Sequence, residues 1–269
     1  MNSHHESLHA KLLDTGSEDL VILCHGYAAS KEGFCLPALA QALASRGKSS
    51  LRFDFAGNGE SQGTFSFGNY WREVEDLRAA VLFVRQVVKK NVYAVVGHSK
   101  GGNVVLLYGS KYDDVQHIVN IAGRGVMDRG IKERFGADIL ERLAKSGSVE
   151  QKVKADGGRT VTYSLTKQAV DERMSLDMLG AAKNITAEVL TIHGTADTVI
   201  PVDDAHAFSK AIKNHSLALV EGADHNFRQP AHQQLLLRRV VDFLVAGLWL
   251  GGRAGGGTQQ WRGRSGGQG

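Results

Sequence analysis

The segment Val95-Val96-Gly97-His98-Ser99-Lys100-Gly101-Gly102-Asn103-Val104-Val105 constrains this chain more than any other. A β-branched apolar run stops at a glycine, a serine follows two residues on, paired glycines come next, and an apolar helical pattern begins. This is a strand, a tight turn and a helix built around Gly-x-Ser-x-Gly, the context in which that pattern acts as a nucleophile elbow. Such a turn holds its central residue in a strained backbone conformation, so Gly97 and Gly101 stand where a Cβ would collide with a neighbouring element. The serine hydroxyl is then presented at a sheet edge, above the positive end of a helix, where an oxyanion can be stabilised. Ser99 reads as a nucleophile.

The rest of the chain alternates strand-like and helix-like segments, which predicts an α/β fold: a mostly parallel, doubly wound sheet with helices on both faces. Leu20-Val21-Ile22-Leu23-Cys24 is a continuous apolar run, as in a strand buried on both sides. Strands are also predicted at residues 50–55, 92–96, 118–121, 188–192 and 216–220. One leading strand fits residues 8–13. Helices are predicted at residues 36–45, 69–89, 204–212 and 232–248, together with the helix behind the elbow. Residues 124–184 break the pattern. They are charge-rich and helix-prone with a polar, glycine-containing break at Asp156-Gly157-Gly158, and they read as a cap inserted between two core strands. Apolar cap positions such as Ile139, Leu140, Leu143, Leu165, Met174, Leu176 and Met178 are spaced as if to cover a pocket. For Met174 and Met178 ordinary core packing is the equal alternative.

A serine nucleophile needs a base to take its proton and an acid to orient the base. In an elbow of this kind the order along the chain is serine, acid, histidine. Asp197, in Gly194-Thr195-Ala196-Asp197-Thr198, and His225, in Gly222-Ala223-Asp224-His225-Asn226, each follow a predicted strand and satisfy that order. Both loops leave the carboxyl ends of parallel strands, the edge where open α/β sheets carry their sites. Asp224 is the weaker acid candidate, and Asp203 or Asp204 is expected to cap the helix that follows. His98 is expected to turn away from the serine hydroxyl, and His193 to be structural. The oxyanion donors are placed by context at the backbone N–H groups of Lys100 and Tyr27, the latter in the loop after the first core strand. His25 is expected to tie that loop down. The Lys100 side chain reads as a solvated cation at the helix start, with attraction of an anionic substrate as the lesser alternative.

Composition narrows the field. The net charge is +4 over 269 residues, and three of those charges are Arg253, Arg262 and Arg264 in a glycine-rich tail, residues 251–269. The rest of the chain is near neutral, so no nucleic-acid partner is expected. The tail lacks the apolar content to pack and is expected to be disordered and dispensable. Two cysteines, Cys24 and Cys35, offer neither a disulfide framework nor a metal-ligand set, so no metal or other cofactor is expected. The start of the chain has no signal-peptide pattern, and no apolar run approaches the roughly 20 residues needed to span a bilayer. A cytoplasmic setting without membrane contact is therefore the expectation.

With these residues in place, the chain resembles the α/β-hydrolase superfamily, in the branch of serine aminopeptidase-like hydrolases and small cinnamoyl or feruloyl esterases. The resemblance rests on His25-Gly26-Tyr27, on the run from Arg52 through Asp54, Gly57, Gly59, Glu60 and Ser61, on Gly97-His98-Ser99-Lys100-Gly101-Gly102, and on Asp197 and His225. The Gly59-Glu60-Ser61 run and the elbow lysine are especially similar to plant members. The resemblance covers residues 8–248. It implies one hydrolase domain over residues 1–250, with the cap at 124–184, and cleavage of a small carboxylic ester or thioester through an acyl-enzyme on Ser99. An aminopeptidase-like peptidase and a non-hydrolytic ligand receptor are the alternatives on the same fold.

Overall fold

The computed structural model describes residues 1–158 and 160–246; the expectations for the tail lie outside the described residues. Nine strands are described: β1 (Ala10–Leu13), β2 (Asp19–Cys24), β3 (Ser49–Phe53), β4 (Asn91–His98), β5 (His117–Ile121), β6 (Ser148–Lys154), β7 (Thr160–Thr166), β8 (Glu188–Gly194) and β9 (His215–Val220). Seven form one sheet in the order β1-β3-β2-β4-β5-β8-β9. Only β1 runs antiparallel, against β3; every other pairing in this sheet is parallel.

The apolar run of β2 explains its central position. Leu20, Ile22 and Cys24 face one core, Val21 and Leu23 the other, and all five are fully buried. Period-2 alternation thus serves two cores at once, which a strand covered on both faces requires. The first core packs against α2 (Tyr70–Phe83) and α3 (Lys100–Tyr112), the second against α1 (Leu36–Ala44) and α9 (Pro230–Ala246). Helix α2 continues to Val88 through a π-helical last turn, and Lys89 ends it in the left-handed region at φ 62°.

Between β5 and β8 the chain forms α4 (Ile131–Phe135), α5 (Ile139–Ser146), the β6–β7 pair, α6 (Lys167–Met174) and α7 (Met178–Ala182). The antiparallel β6–β7 hairpin corrects the helix-prone reading of this segment. Its residues alternate: Val149, Val153, Val161, Tyr163 and Leu165 turn to one side, while Glu150, Lys152, Thr162 and Ser164 face solvent. That inner face joins Ile131, Ile139, Leu143 and Val170 to Ala28, Phe65 and Phe67, which lie on the loops after β2 and β3. A third core thereby fastens the segment over the carboxyl edge of the sheet. Met178 belongs to the first core and is fully buried, whereas Met174 is 41% exposed. Core packing therefore replaces the pocket reading for Met178.

Candidate active site

Ser99 ends β4 and caps α3 with φ 56° and ψ −119°, well outside the regions an ordinary side chain favours. The turn is packed so closely that only glycine fits beside it. A Cβ on Gly97 would lie 2.1 Å from the Gly101 carbonyl oxygen, and one on Gly101 would lie 2.4 Å from that of His25. The Ser99 N–H donates to the Ile121 carbonyl at 2.8 Å, which fixes the turn to the end of β5.

Two further loops converge on the serine. The Thr195 and Ala196 N–H groups donate to the Val220 and Ala223 carbonyls at 3.0 Å each, zipping the loop after β8 to the loop after β9. Phe227, fully buried in the second core, anchors the far side of the latter loop. His225 Nε2 then lies 3.0 Å from Ser99 Oγ, and His225 Nδ1 lies 2.7 Å from Asp197 Oδ2. The other carboxylate oxygen, Oδ1, accepts the N–H groups of Val199 and Ile200 at 2.8 Å each. Burial opposes ionisation of Asp197. The hydrogen bonds from His193 and His225 outweigh it and hold the carboxyl well below the usual range. The three residues singled out in the sequence thus form one connected chain of hydrogen bonds.

His98 does turn away from the hydroxyl. Its ring stacks on Phe34 at 3.7 Å and its Nε2–H donates to the His225 carbonyl at 3.0 Å. Burial drives its pKa down to about 3, so this donor is a neutral imidazole that holds the His225 backbone. His25 donates from Nδ1 to the Gly26 carbonyl at 2.8 Å and accepts the Phe55 N–H at 3.1 Å, tying the loop after β2 to the end of β3. Asp224 accepts the Arg228 N–H at 2.9 Å and shapes the His225 loop.

Two details depart from the sequence reading and a third adds to it. The Lys100 side chain is buried, not solvated: Nζ donates to Glu73 Oε1 and to the Gly68 carbonyl, each at 2.6 Å. Burial pushes the Glu73 carboxyl up to about 7 although Lys100 pulls the other way. Asp204 does not cap α8 (Val202–Ala211). Pro201 holds the cap position, and the buried Asp204 carboxylate accepts the Gly125 N–H at 2.9 Å, supporting the loop after β5. His193 is more than a strand residue, because its Nε2 lies 3.2 Å from Asp197 Oδ2 and donates to the Ile200 carbonyl at 2.9 Å. Its position four residues before the acid was the available signal.

One group of possible metal ligands occurs among the described residues: His9, Asp54 and Glu60. The buried Lys31 ammonium already pairs with both carboxylates, at 2.7 Å from Asp54, so the charge a cation would supply is present.

Two cavities meet at the serine. One of about 260 Å³ is lined by Tyr27, Phe67, Lys100, Arg124, Arg173 and Ser99 among others, and it lies under α4 and α6. The other, of about 570 Å³, opens on the side of His225 and His98. Tyr27 lines both, with its hydroxyl donating to that of Tyr163 at 2.7 Å.

Comparison with known proteins agrees with this architecture. A family model described as serine aminopeptidase, S33, matches residues 16–179, so the chain belongs to this family of the α/β-hydrolase superfamily. The match includes the elbow. A monoacylglycerol lipase of Mycolicibacterium smegmatis is 25% identical over 258 residues, covering 87% of this chain and 91% of the lipase. A mitochondrial palmitoyl-protein thioesterase of Rattus norvegicus is 21% identical over 236 residues, 85% of this chain and 76% of the thioesterase. Among solved structures, Est1E of Butyrivibrio proteoclasticus with bound ferulic acid superposes with a TM-score of 0.70 at 23% identity, covering 89% and 94% of the two chains. A Paleococcus ferrophilus monoacylglycerol lipase gives 0.73 at 19% identity, covering 89% and 99%. The structural likenesses establish the fold. No helix among the described residues is long and apolar enough to cross a membrane.

Proposed function

We propose that this hydrolase cleaves carboxylic esters or thioesters of modest size through an acyl-enzyme on Ser99. The observation that carries the proposal is the continuous path from Ser99 Oγ through His225 to Asp197, at 3.0 and 2.7 Å. Ser99 Oγ attacks the ester carbonyl while its proton passes to His225 Nε2. Asp197 keeps the Nδ1–H tautomer in place and stabilises the imidazolium. The backbone N–H groups of Tyr27 and Lys100 receive the oxyanion; removing one such donor typically costs about 10²–10³ in turnover. The leaving alcohol or thiol takes the proton from His225, and water, activated by the same imidazole, releases the acid. Residues 124–184 serve as the cap that shapes the acyl-binding cavity.

The relatives that are esterases, lipases and thioesterases favour this reaction class. Peptidase action on a free amino terminus fits less well, because the cavity beside Ser99 is lined by guanidinium groups, which repel a substrate ammonium. The buried free thiols of Cys24 and Cys35 suit a reducing compartment such as the cytoplasm. A fluorophosphonate probe is expected to label Ser99, and the Ser99→Ala variant is expected to lose labelling and ester turnover while keeping its melting temperature. Wild-type turnover by pure Ser99→Ala protein would reject the proposal.

A further inference from the structure

The cavity under α4 and α6 carries an unusual charge. Arg124, on the loop after β5, and Arg173, on α6, are only 7% and 5% exposed, and Arg134 of α4 joins them on the wall. None of the three forms an ion pair with a carboxylate among the described residues. Arg124 donates to the Val199 carbonyl at 2.6 Å and Arg173 to the Arg129 carbonyl at 2.7 Å. The Arg134 guanidinium lies over the Tyr27 ring, 4.6 Å from its centre, and that of Arg173 over Phe67 at 5.1 Å. Arg173 Nε is buried with no hydrogen-bond partner.

The neighbouring charges do not cancel this cluster. Lys100 is matched by Glu73, and Glu172 is used by the N–H groups of Asn69 and Tyr70. Glu133 is the one carboxylate on the cavity wall, and it is exposed. Burial, and then the charge of a neighbouring arginine, lowers the proton affinity of both Arg124 and Arg173, outweighing the pull of Asp204 on the first and of Tyr70 and Asp128 on the second. Placing cations in such a site without a directly paired carboxylate is costly, and an anionic group arriving with the ligand offsets that cost.

The position of the base decides which part of the ester carries the anion. His225 must protonate the leaving group, so the alcohol or thiol belongs in the larger cavity, which His225 lines. The cavity lined by Arg124 and Arg173 also reaches Ser99, without His225 on its wall, and takes the acyl chain; Arg134 stands where the two cavities meet and lines both.

Resting on the serine-hydrolase reading above, we propose that the preferred substrate is an ester or thioester whose acyl group ends in a second anionic group, a carboxylate or phosphate-like oxyacid, held by Arg124, Arg134 and Arg173. Guanidinium groups suit such ligands because their paired N–H donors match two oxygens at once.

The test compares three para-nitrophenyl esters on the full chain, each corrected for spontaneous hydrolysis: the glutarate monoester, its methyl-capped neutral counterpart, and the 4-phosphonobutyrate. The glutarate or the phosphonobutyrate, whichever anion the site takes, is expected to exceed the capped ester in kcat/KM by about ten- to a hundred-fold, the range of a charge-assisted pair. That preference is expected to shrink as ionic strength rises. It should fall at least about ten-fold in Arg173→Gln and be partly restored in Arg173→Lys. If Arg173→Gln proves unfolded by its melting curve, the exposed Arg134→Gln supplies the same comparison. A capped ester turned over as well as both anionic esters, or a preference untouched by Arg173→Gln and Arg134→Gln, overturns the inference. Fluorophosphonate labelling separates the two readings. Labelled Ser99 with no anionic preference defeats only the substrate assignment, whereas absent labelling and no ester turnover defeat both.

Discussion

Replacing Asp197 by asparagine offers a sharp test of the catalytic geometry, because the surroundings of the carboxylate dictate how the amide must sit. Asp197 Oδ1 accepts two backbone N–H groups at 2.8 Å, so an amide oxygen must occupy that place. The amide nitrogen then takes the position of Oδ2, facing His225 Nδ1 and His193 Nε2 at 2.7 and 3.2 Å. Rotating the amide does not help, since it would set the NH₂ group against the Val199 and Ile200 donors. An amide N–H pointing at His225 Nδ1 requires that nitrogen to accept, which moves the imidazole proton to Nε2. In that tautomer Nε2 faces Ser99 Oγ with a hydrogen and cannot take the serine proton. The same change in serine-protease triads lowers turnover by about 10⁴, equivalent to about 5.5 kcal/mol in the barrier. Asp197→Asn is therefore expected to lose about 10³–10⁴ in kcat for a para-nitrophenyl ester, with a similarly slowed rate of fluorophosphonate labelling. Circular dichroism and a melting curve check that the variant folds. A folded variant within about ten-fold of wild type would refute both the tautomer argument and the assignment of Asp197 as orienting acid.

Acid sensitivity follows from the buried His98 and the half-buried His215. Burial lowers His98 to about 3 and His215 to about 4 from an ordinary value near 6.5. In the interval below 6.5 the unfolded chain binds protons that the folded chain refuses, so stability falls as pH drops. Each ring adds a slope of about 1.4 kcal/mol per pH unit until its folded value is reached. Urea midpoints measured between pH 6.5 and 4 should fall steadily in wild type and less steeply in His98→Gln; equal slopes would remove His98 from the account. Met178→Ala should cost about 2–5 kcal/mol through an unfilled space in the first core and leave the ratio of activities toward short and aromatic acyl esters unchanged. A changed ratio at unchanged stability would return Met178 to the pocket.

The three candidate residues could be picked out in the sequence because each sits on a loop fixed by its own strand. Ser99, Asp197 and His225 follow β4, β8 and β9, and a parallel sheet brings all such loops to one edge. Glycines at 97 and 101 reveal the elbow because a Cβ there meets backbone, which has nowhere to move. The partner of Lys100 was not legible: Glu73 lies 27 residues earlier on a different helix, and only the packing of α2 against α3 makes the pair. The β6–β7 hairpin carries a period-2 pattern, but β6 sets only two valines among Glu150, Lys152 and Lys154 and β7 interleaves its apolar residues with threonines and a serine, so polar content masked the alternation.

The arginine cluster was the least legible feature, and the reason bears on how the site works. Arg124, Arg134 and Arg173 come from the loop after β5, from α4 and from α6, and no spacing along the chain relates them. They meet because the third core seats the segment between β5 and β8 on Ala28, Phe65 and Phe67. The candidate chemistry is held by backbone-defined turns of the sheet, whereas the charge of the neighbouring cavity is set by side-chain packing of a separate cluster. A substitution in that cluster, such as one at Leu143 or Leu165, would shift α4 and α6 without touching β4, β8 or β9. Under the proposed function, division of labour on these lines would let acyl selectivity change while Ser99, His225 and Asp197 keep their spacing. It follows from which elements share a core, and under the proposed function it gives the residues between β5 and β8 a role that does not depend on direct contact with substrate.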